Sequence, residues 1–449
     1  MIIAATIFVA CNPKEDLDPQ TIEGENYTEV SVPDEYVTIE EAREELENLL
    51  EDFSTLSKSN GFFSSKKISN AFTLTSSKPS ISKSSKVDTT LIHVFNFEDE
   101  GGFAIMAATR KMPSLLAITE SGNLDTAKAI DNPGLIMFLN RLEAKPADFI
   151  DRLNYGNKDK GKENANQNNI DYVNTKGGYT VYSKYQNIFY NPKGGYCKVH
   201  WHQNSPFNNQ CPVKYTKKTV VGCVAVACAQ LMSIYQHPSK YKDTTLHWSQ
   251  MLANENCPDI AWLMKKIGDE ENLNMEYNIP DTGSSAYPNL IPRTLKNFGF
   301  SKGGVFKYYN TSTVCEDLKK GYPVLIGGCD TKEINKVKTP FGFKDSVSYS
   351  GGHRWLAHGL LVRYRTITRY SEPPQDKLSK NTTLGTSWTE SYEYVLCNFG
   401  WKSGRGNGYF LSGVFDVDDK MVYGESYSKS NNKTDYYQYE ITTVTGIRK

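Results

Sequence analysis

Between Asn154 and Asp171 the chain reads NYGNKDKGKENANQNNID. Almost nothing in this stretch is apolar, so it buries too little surface to offset the entropy of ordering it, and its Gly and Asn residues mark loop. It divides a chain of 449 residues, about three times a typical domain. The composition changes across the divide. All six Trp, eight of the nine Cys and six of the seven His follow it. We therefore expect a leader over residues 1–11, a first folded unit over 30–152, a linker over 153–171 and a second unit over 172–449.

Charge and cysteine usage narrow the function classes. Lys plus Arg and Asp plus Glu are each 51, giving a formal net charge of zero. No basic surplus calls for nucleic acid. No apolar run is long enough to span a bilayer. The cysteines from Cys197 to Cys397 are too widely spread for the disulfide framework of a small secreted domain. No C-x-x-C pair suggests a zinc ribbon. Cys197, His200 and His202 lack an evident fourth ligand, so no metal or other cofactor is expected.

The first ten residues, MIIAATIFVA, are nearly all apolar and run directly into Cys11. A short apolar segment ending in small residues reads as a secretory signal. Phe8-Val9-Ala10-Cys11 resembles a bacterial lipobox, although no Lys or Arg precedes the run. The expectation is cleavage before Cys11, acyl chains on that residue and a polar tether, NPKEDLDPQ, behind it. That implies an exported protein, either a cell-envelope lipoprotein held to the membrane by its lipid or an extracellular protein after release.

In the first unit, Ile39, Ala42, Leu46, Leu49, Leu50 and Phe53 fall on one helical face, predicting an amphipathic helix over 38–53. Thr38 and Glu41 have capping-box spacing at its start. LIHVFNF, GGFAIMAAT and SLLAITE read as short strands, and 132–142 as a helix. The unit is small and α+β.

The second unit carries the chemistry. In Val220-Val221-Gly222-Cys223-Val224-Ala225-Val226-Ala227-Cys228, Cys223 stands at the first turn of an apolar helix. Orphan N–H groups and the helix dipole there favour thiolate over thiol, and the Cys223 N–H can face an oxyanion forming beside the sulfur. Cys228, inside the helix, reads as core. A thiol nucleophile needs a base, and GGHRWLAHGLLV offers His353 and His358. Five residues apart on one strand, they face opposite sides. His353, after Gly351 and Gly352 at the strand's start, is the candidate base; His358, among leucines, reads as structural. Asn398, ending the next strand, is the candidate to hold the imidazole. Residues 365–390 read as a hairpin excursion and 404–408 as a turn.

GCVAVACAQLM, GGHRWLAHG, CNFGWKSGRGNGYF and, upstream, WHQNSPFNNQCP resemble, in order and spacing, the streptopain-like cysteine peptidases, which are papain-fold enzymes of bacteria. FNFEDEGGFAIMAATRKMPSLLAITESGNLD resembles that family's inhibitory propeptide. The resemblance implies an α+β chain in which a papain-like catalytic domain follows a small α+β propeptide domain. It implies Cys223 as nucleophile, His353 as base, Gln203 as side-chain oxyanion donor, and Asn398 with Trp401 as the segment that orients and shields the histidine. Gly352 and Gly222 support the cleft. Three positions depart from the pattern: Arg354 where a small residue is usual, His358 where Asp is usual, and Phe399 in place of a Trp. The expected function is a lipid-anchored cysteine endopeptidase made as a zymogen. Its substrates are proteins or peptides, and its own propeptide is the intramolecular inhibitor. The alternative is a surface binding protein on an inactive peptidase scaffold.

Overall fold

The computed structural model describes residues 36–56, 66–75, 91–110, 112–125, 127, 132, 134–136, 138–139, 170–175, 178–329, 331–339, 342–370, 386–416 and 439–449. Cys11 and most of the 153–171 linker lie outside these residues. The fold is a mixture of helices and strands, in two sequence segments that share one sheet.

Helix α1 spans Ile39–Leu56. Its capping box forms: Thr38 N donates to Glu41 Oε2 at 2.8 Å, and Glu41 N donates to Thr38 Oγ1 at 3.2 Å. The apolar stripe is buried from Ala42 to Phe53. It covers an antiparallel set of four strands, β1 (Ile68–Thr75), β2 (Leu91–Phe97), β3 (Phe103–Ala107) and β4 (Leu115–Thr119). The expected 132–142 helix is seen at residues 134–136 and 138–139.

The second segment opens with β5 (Ile170–Thr175), β6 (Gly178–Ser183) and β7 (Gln186–Tyr190). Helices α2 (Cys223–Tyr235), α3 (Trp248–Ala253), α4 (Pro258–Ile267) and α5 (Ile291–Asn297) follow. Then come β8 (Lys302–Tyr308), α6 (Thr311–Lys319), β9 (Val324–Cys329), and a hairpin of β10 (Thr331–Thr339) and β11 (Gly342–Ser350). The long strands β12 (His353–Tyr370) and β13 (Thr386–Asn398), then β14 (Gly408–Leu411) and β15 (Tyr439–Arg448), complete the chain. Of the expected 365–390 hairpin excursion, residues 365–370 and 386–390 are described, and they continue β12 and β13 as an antiparallel pair; the rest lies outside the described residues.

Among the described residues, a single sheet of thirteen strands runs in the order β1-β2-β3-β4-β14-β13-β12-β9-β15-β8, with β7 and β6 along β12 and β5 on β6. The first segment therefore does not close on itself. Its edge strand β4 pairs with β14, Ile118 opposite Tyr409. Such pairing satisfies backbone groups that an exposed edge would leave to water.

Alternation along the central strands gives the sheet two apolar faces. Val324, Ile326, Trp355 and Ala357 join a core that also holds Leu46, Phe53, Phe95, Ile105 and Phe138 from the first segment. Leu325, Leu356 and Val444 face the other way, into a core built with α2, α4 and α5. The first core crosses the seam. Phe53 lies 4.9 Å from Phe189 and 5.9 Å from Tyr409, centroid to centroid. Buried Arg363 pairs with Glu45 at 3.0 Å.

Candidate active site

The start of α2 is set by Gly222, whose φ of 89° is strained for residues with a Cβ. A Cβ there would also stand 3.0 Å from the Met275 thioether. Val221 N donates to Gln203 O at 3.0 Å, tying the upstream segment to the helix entrance. Cys223 is the first helical residue and is half-buried. Its Sγ lies 3.9 Å from Gly352 O and also accepts from the Arg354 backbone N–H. Strand β13 ends with Asn398 opposite Leu356, so the thiol meets β12 just beyond its last pair with β13, against the backbone on either side of His353.

His353 is buried. Its ring stacks on Trp355 at 6.0 Å and meets the edge of Trp401 at 6.3 Å, so Trp401 does flank the histidine. His353 Nε2 lies 3.0 Å from Phe399 O. A carbonyl only accepts, so Nε2 carries the proton and Nδ1 is the basic nitrogen. The polar neighbours of the Cys223 thiol include backbone groups, Gly352 O and the N–H groups of Arg354, Val224 and Cys223 itself.

Asn398 is placed differently from expectation. Its Oδ1 accepts from Gln230 Nε2 at 3.0 Å and from Gly400 N at 3.1 Å, and its Nδ2 donates to Val199 O at 3.0 Å. The side chain is thus spent fastening β13 to α2 and to the segment before it. The next residue's backbone carbonyl, at Phe399, orients the imidazole instead. Phe399 N in turn donates to Asn407 Oδ1 at 2.9 Å, while Asn407 O accepts from Glu120 N of the first segment at 2.7 Å. The 404–408 turn therefore connects the seam to the residue that holds His353.

Gln203 is half-buried, with its backbone fixed to Val221 two residues before Cys223. Gly352 supplies the carbonyl against the thiol; a Cβ there would meet Cys329 Sγ and Gly328 O at an ordinary 3.7 Å. His358 Nδ1 accepts from Cys197 N at 3.3 Å, consistent with a structural histidine. Cys197 Sγ lies near Val199 O, Gln230 O and Ser233 Oγ, and His202 Nδ1 accepts from Asn204 N. Cys228 is fully buried. Gln230, Asn407 and the role of the Phe399 carbonyl were missed by sequence reasoning. Only Gln230 carried a signal, as the one amide in an apolar helix.

Burial dominates the electrostatics. It raises the Cys223 thiol above its usual value, against the pull of the Arg354 backbone N–H, the Arg354 charge and the N–H groups of Val224 and Cys223. Burial also brings His353 down to about 4, with the Phe399 carbonyl opposing it and the Arg354 charge adding to it. A neutral thiol therefore faces a neutral imidazole at pH 7. That is a resting pair.

Residues 201–410 match the peptidase C10 family, and residues 48–145 match the Spi protease inhibitor. The chain carries a peptidase C10 domain behind a Spi-type inhibitor domain. The thiol protease/hemagglutinin PrtT of Porphyromonas gingivalis is 23% identical over 287 residues, covering 55% of this chain and 31% of that protein. The chain thus spans about a third of that relative's length. Among solved structures, a prointerpain A fragment of Prevotella intermedia is 19% identical with a TM-score of 0.46, covering 80% of this chain and 96% of the fragment. Active interpain A from Prevotella intermedia is 20% identical with a TM-score of 0.36, over 56% of this chain and 94% of that one.

Proposed function

We propose that the chain is a cysteine endopeptidase held latent by its own N-terminal domain. The observation that carries this is the placement of Cys223 at a helix start, with its thiol against the backbone on both sides of a histidine whose tautomer leaves Nδ1 basic. In the working form His353 Nδ1 takes the thiol proton and Cys223 Sγ attacks the scissile carbonyl. The oxyanion is met by the Cys223 N–H and the Gln203 amide. His353 then protonates the leaving amine, and water hydrolyses the thioester.

The latent form is supported by the seam. Glu120 N holds Asn407, Asn407 holds Phe399, and Phe399 O holds His353. Undocking the first segment would release that series and let the imidazole meet the thiol. Export and acylation at Cys11 belong to the same reading and rest on the Phe8-Val9-Ala10-Cys11 pattern. A Cys11→Ser variant should leave the membrane fraction; its retention there would remove that part.

Hydrolysis of casein by residues 172–449, beside Cys223→Ala and His353→Ala controls, tests the enzyme assignment. Turnover lost in both folded controls supports it. Turnover that survives Cys223→Ala overturns it. A folded wild type with no turnover that still binds unfolded protein would favour the binding-scaffold alternative.

A further inference from the structure

The peptidase reading leaves one buried charge unused. Arg354 follows the histidine and is 4% exposed. Its Nη1 donates to Thr442 O at 3.0 Å and its Nη2 to Thr442 Oγ1 at 2.8 Å. Its Nε is buried without a hydrogen-bond partner. Among the described residues no carboxylate pairs with it, although buried cations ordinarily need a counter-charge. Burial lowers Arg354 only to about 10, so it is cationic at neutral pH.

The fold makes room for this group. Gly327 on β9 lies opposite Arg354. A Cβ on Gly327 would stand 2.7 Å from Arg354 Nε and 2.8 Å from its Cζ. Only glycine at that position lets the guanidinium lie across β9 to reach Thr442 on β15. The Phe306 ring, 5.8 Å away, covers the other side. Arg354 lies two residues before Leu356 on β12 and so shares its face, the one toward α2. Cys223, the first residue of α2, has its Sγ 3.9 Å from Gly352 O on the same strand approach. Among the described residues the thiols on which the guanidinium charge bears are Cys223, Cys329 and Cys228. Cys228 is fully buried, and Cys329 is half-buried beside Gly352. Cys223 is the one of the three that stands at a helix N-terminus with backbone N–H donors of its own.

We propose that the Arg354 guanidinium is the fixed counter-charge of the Cys223 thiolate, stabilising the anion that forms when His353 takes the thiol proton. Arg354 is a positioning residue. It touches no reacting atom with its side chain and acts on Cys223 through its field and through the backbone N–H it holds in place. Before that transfer the same cation disfavours a positive charge on His353, so the imidazole stays neutral until it takes the thiol proton, which it later gives to the leaving amine. This division of labour deepens the peptidase reading and rests on it for its purpose, but not for its test.

The test is the pH dependence of Cys223 alkylation by iodoacetamide in the full chain, with the modified residue located by mass spectrometry. Arg354→Met should move the midpoint upward by about one pH unit or more, since a neighbouring charge contributes on that scale. Arg354→Lys should restore most of the shift, and His353→Ala should move the midpoint less than Arg354→Met does. If Arg354→Met proves unfolded, Thr442→Val, which frees one end of the guanidinium, should give a smaller upward shift in a folded protein. An Arg354→Met or Thr442→Val profile that superimposes on wild type overturns the inference, as does a larger shift from His353→Ala. Alkylation needs no turnover, so a chain that failed as a peptidase but showed the Arg354 shift would sink the functional reading and leave this inference standing.

Discussion

The two faces of the central sheet are built for different fates. Among the described residues, the face toward α2 is closed by the catalytic segment alone, and the nucleophile rises from it. The opposite face is closed jointly: Leu46, Phe53 and Phe138 of the first segment pack with Trp355, Phe399 and Tyr409 of the second. Trp355 and Phe399 are also the residues that stack on His353 and hold it. Removing the first segment would strip one face and leave the other whole. Under the proposed function, the thiol is set by a core that stays and the imidazole by one that loses the first segment. Latency needs no covalent bond to the site and no blocked thiol. It needs only that the base be shaped by packing that maturation takes away.

Breaking each core separately exposes the contrast. Phe53 is fully buried across the seam, and a buried Phe→Ala typically costs about 3–5 kcal/mol. In Phe53→Ala we expect full-length protein to lose latency, with peptide hydrolysis rising at least about a hundredfold for a coupling loss of about 3 kcal/mol. Leu231→Ala on α2, equally buried, should instead lower the thermal stability of full-length and mature forms alike, by about 2–5 kcal/mol, with no release of activity. If Leu231→Ala activated the full chain, the two cores would not be separable in this way.

The ion pair at the seam should have a smaller effect. Arg363 is 2% exposed and Glu45 30% in their side chains. Glu45→Ala leaves a buried guanidinium short of its anion, discounted because the carboxylate is partly solvated. Inhibition of residues 172–449 by a separately added first segment should weaken by about tenfold, which is roughly 1.4 kcal/mol. Titration of the inhibitor against peptide hydrolysis reads this directly, and unchanged potency would remove the pair from the account.

The pH response is finer still. Burial raises Glu120 from 4.5 to about 7, with Lys66 opposing it. Its backbone N–H is tied to Asn407 across the seam. A carboxyl raised by docking stabilises the docked form fully below its free value, and that stability is lost as pH climbs through 4.5 to 7. Glu120→Gln, always neutral, should inhibit only about fourfold more tightly than wild type at pH 5 and at least about tenfold more tightly at pH 8. Equal potency at both values would show that docking does not govern this carboxyl.

What the sequence made legible was local. The stripe of α1 and its Thr38–Glu41 box obey helix periodicity, and Cys223 at a helix start follows from one glycine before an apolar run. The pairing of β4 with β14 was not legible, because an edge strand carries no mark of the partner it will find nearly three hundred residues away. The antiparallel pairing of 365–369 with 386–390 agrees with the hairpin read from the sequence, while the strand ends expected at 364 and 392 fell short because polar and charged residues on one face hid a continuing strand. Asn398 was chosen by residue type, but the orienting group is the Phe399 carbonyl, and a backbone atom has no sequence signature. Arg354 looked like a departure until Gly327, on another strand, supplied the space that holds it.

The most direct test measures two rates on the same two proteins: Cys223 alkylation and peptide hydrolysis, in the full chain and in residues 172–449, at equal titrated thiol. The account predicts alkylation rates within about threefold, because the core beneath the thiol is common to both, and hydrolysis slower in the full chain by at least about a hundredfold, or some 2.7 kcal/mol. Equal hydrolysis in the two forms, or alkylation that falls in step with hydrolysis, would contradict the claim that the N-terminal domain controls the base and leaves the nucleophile in place.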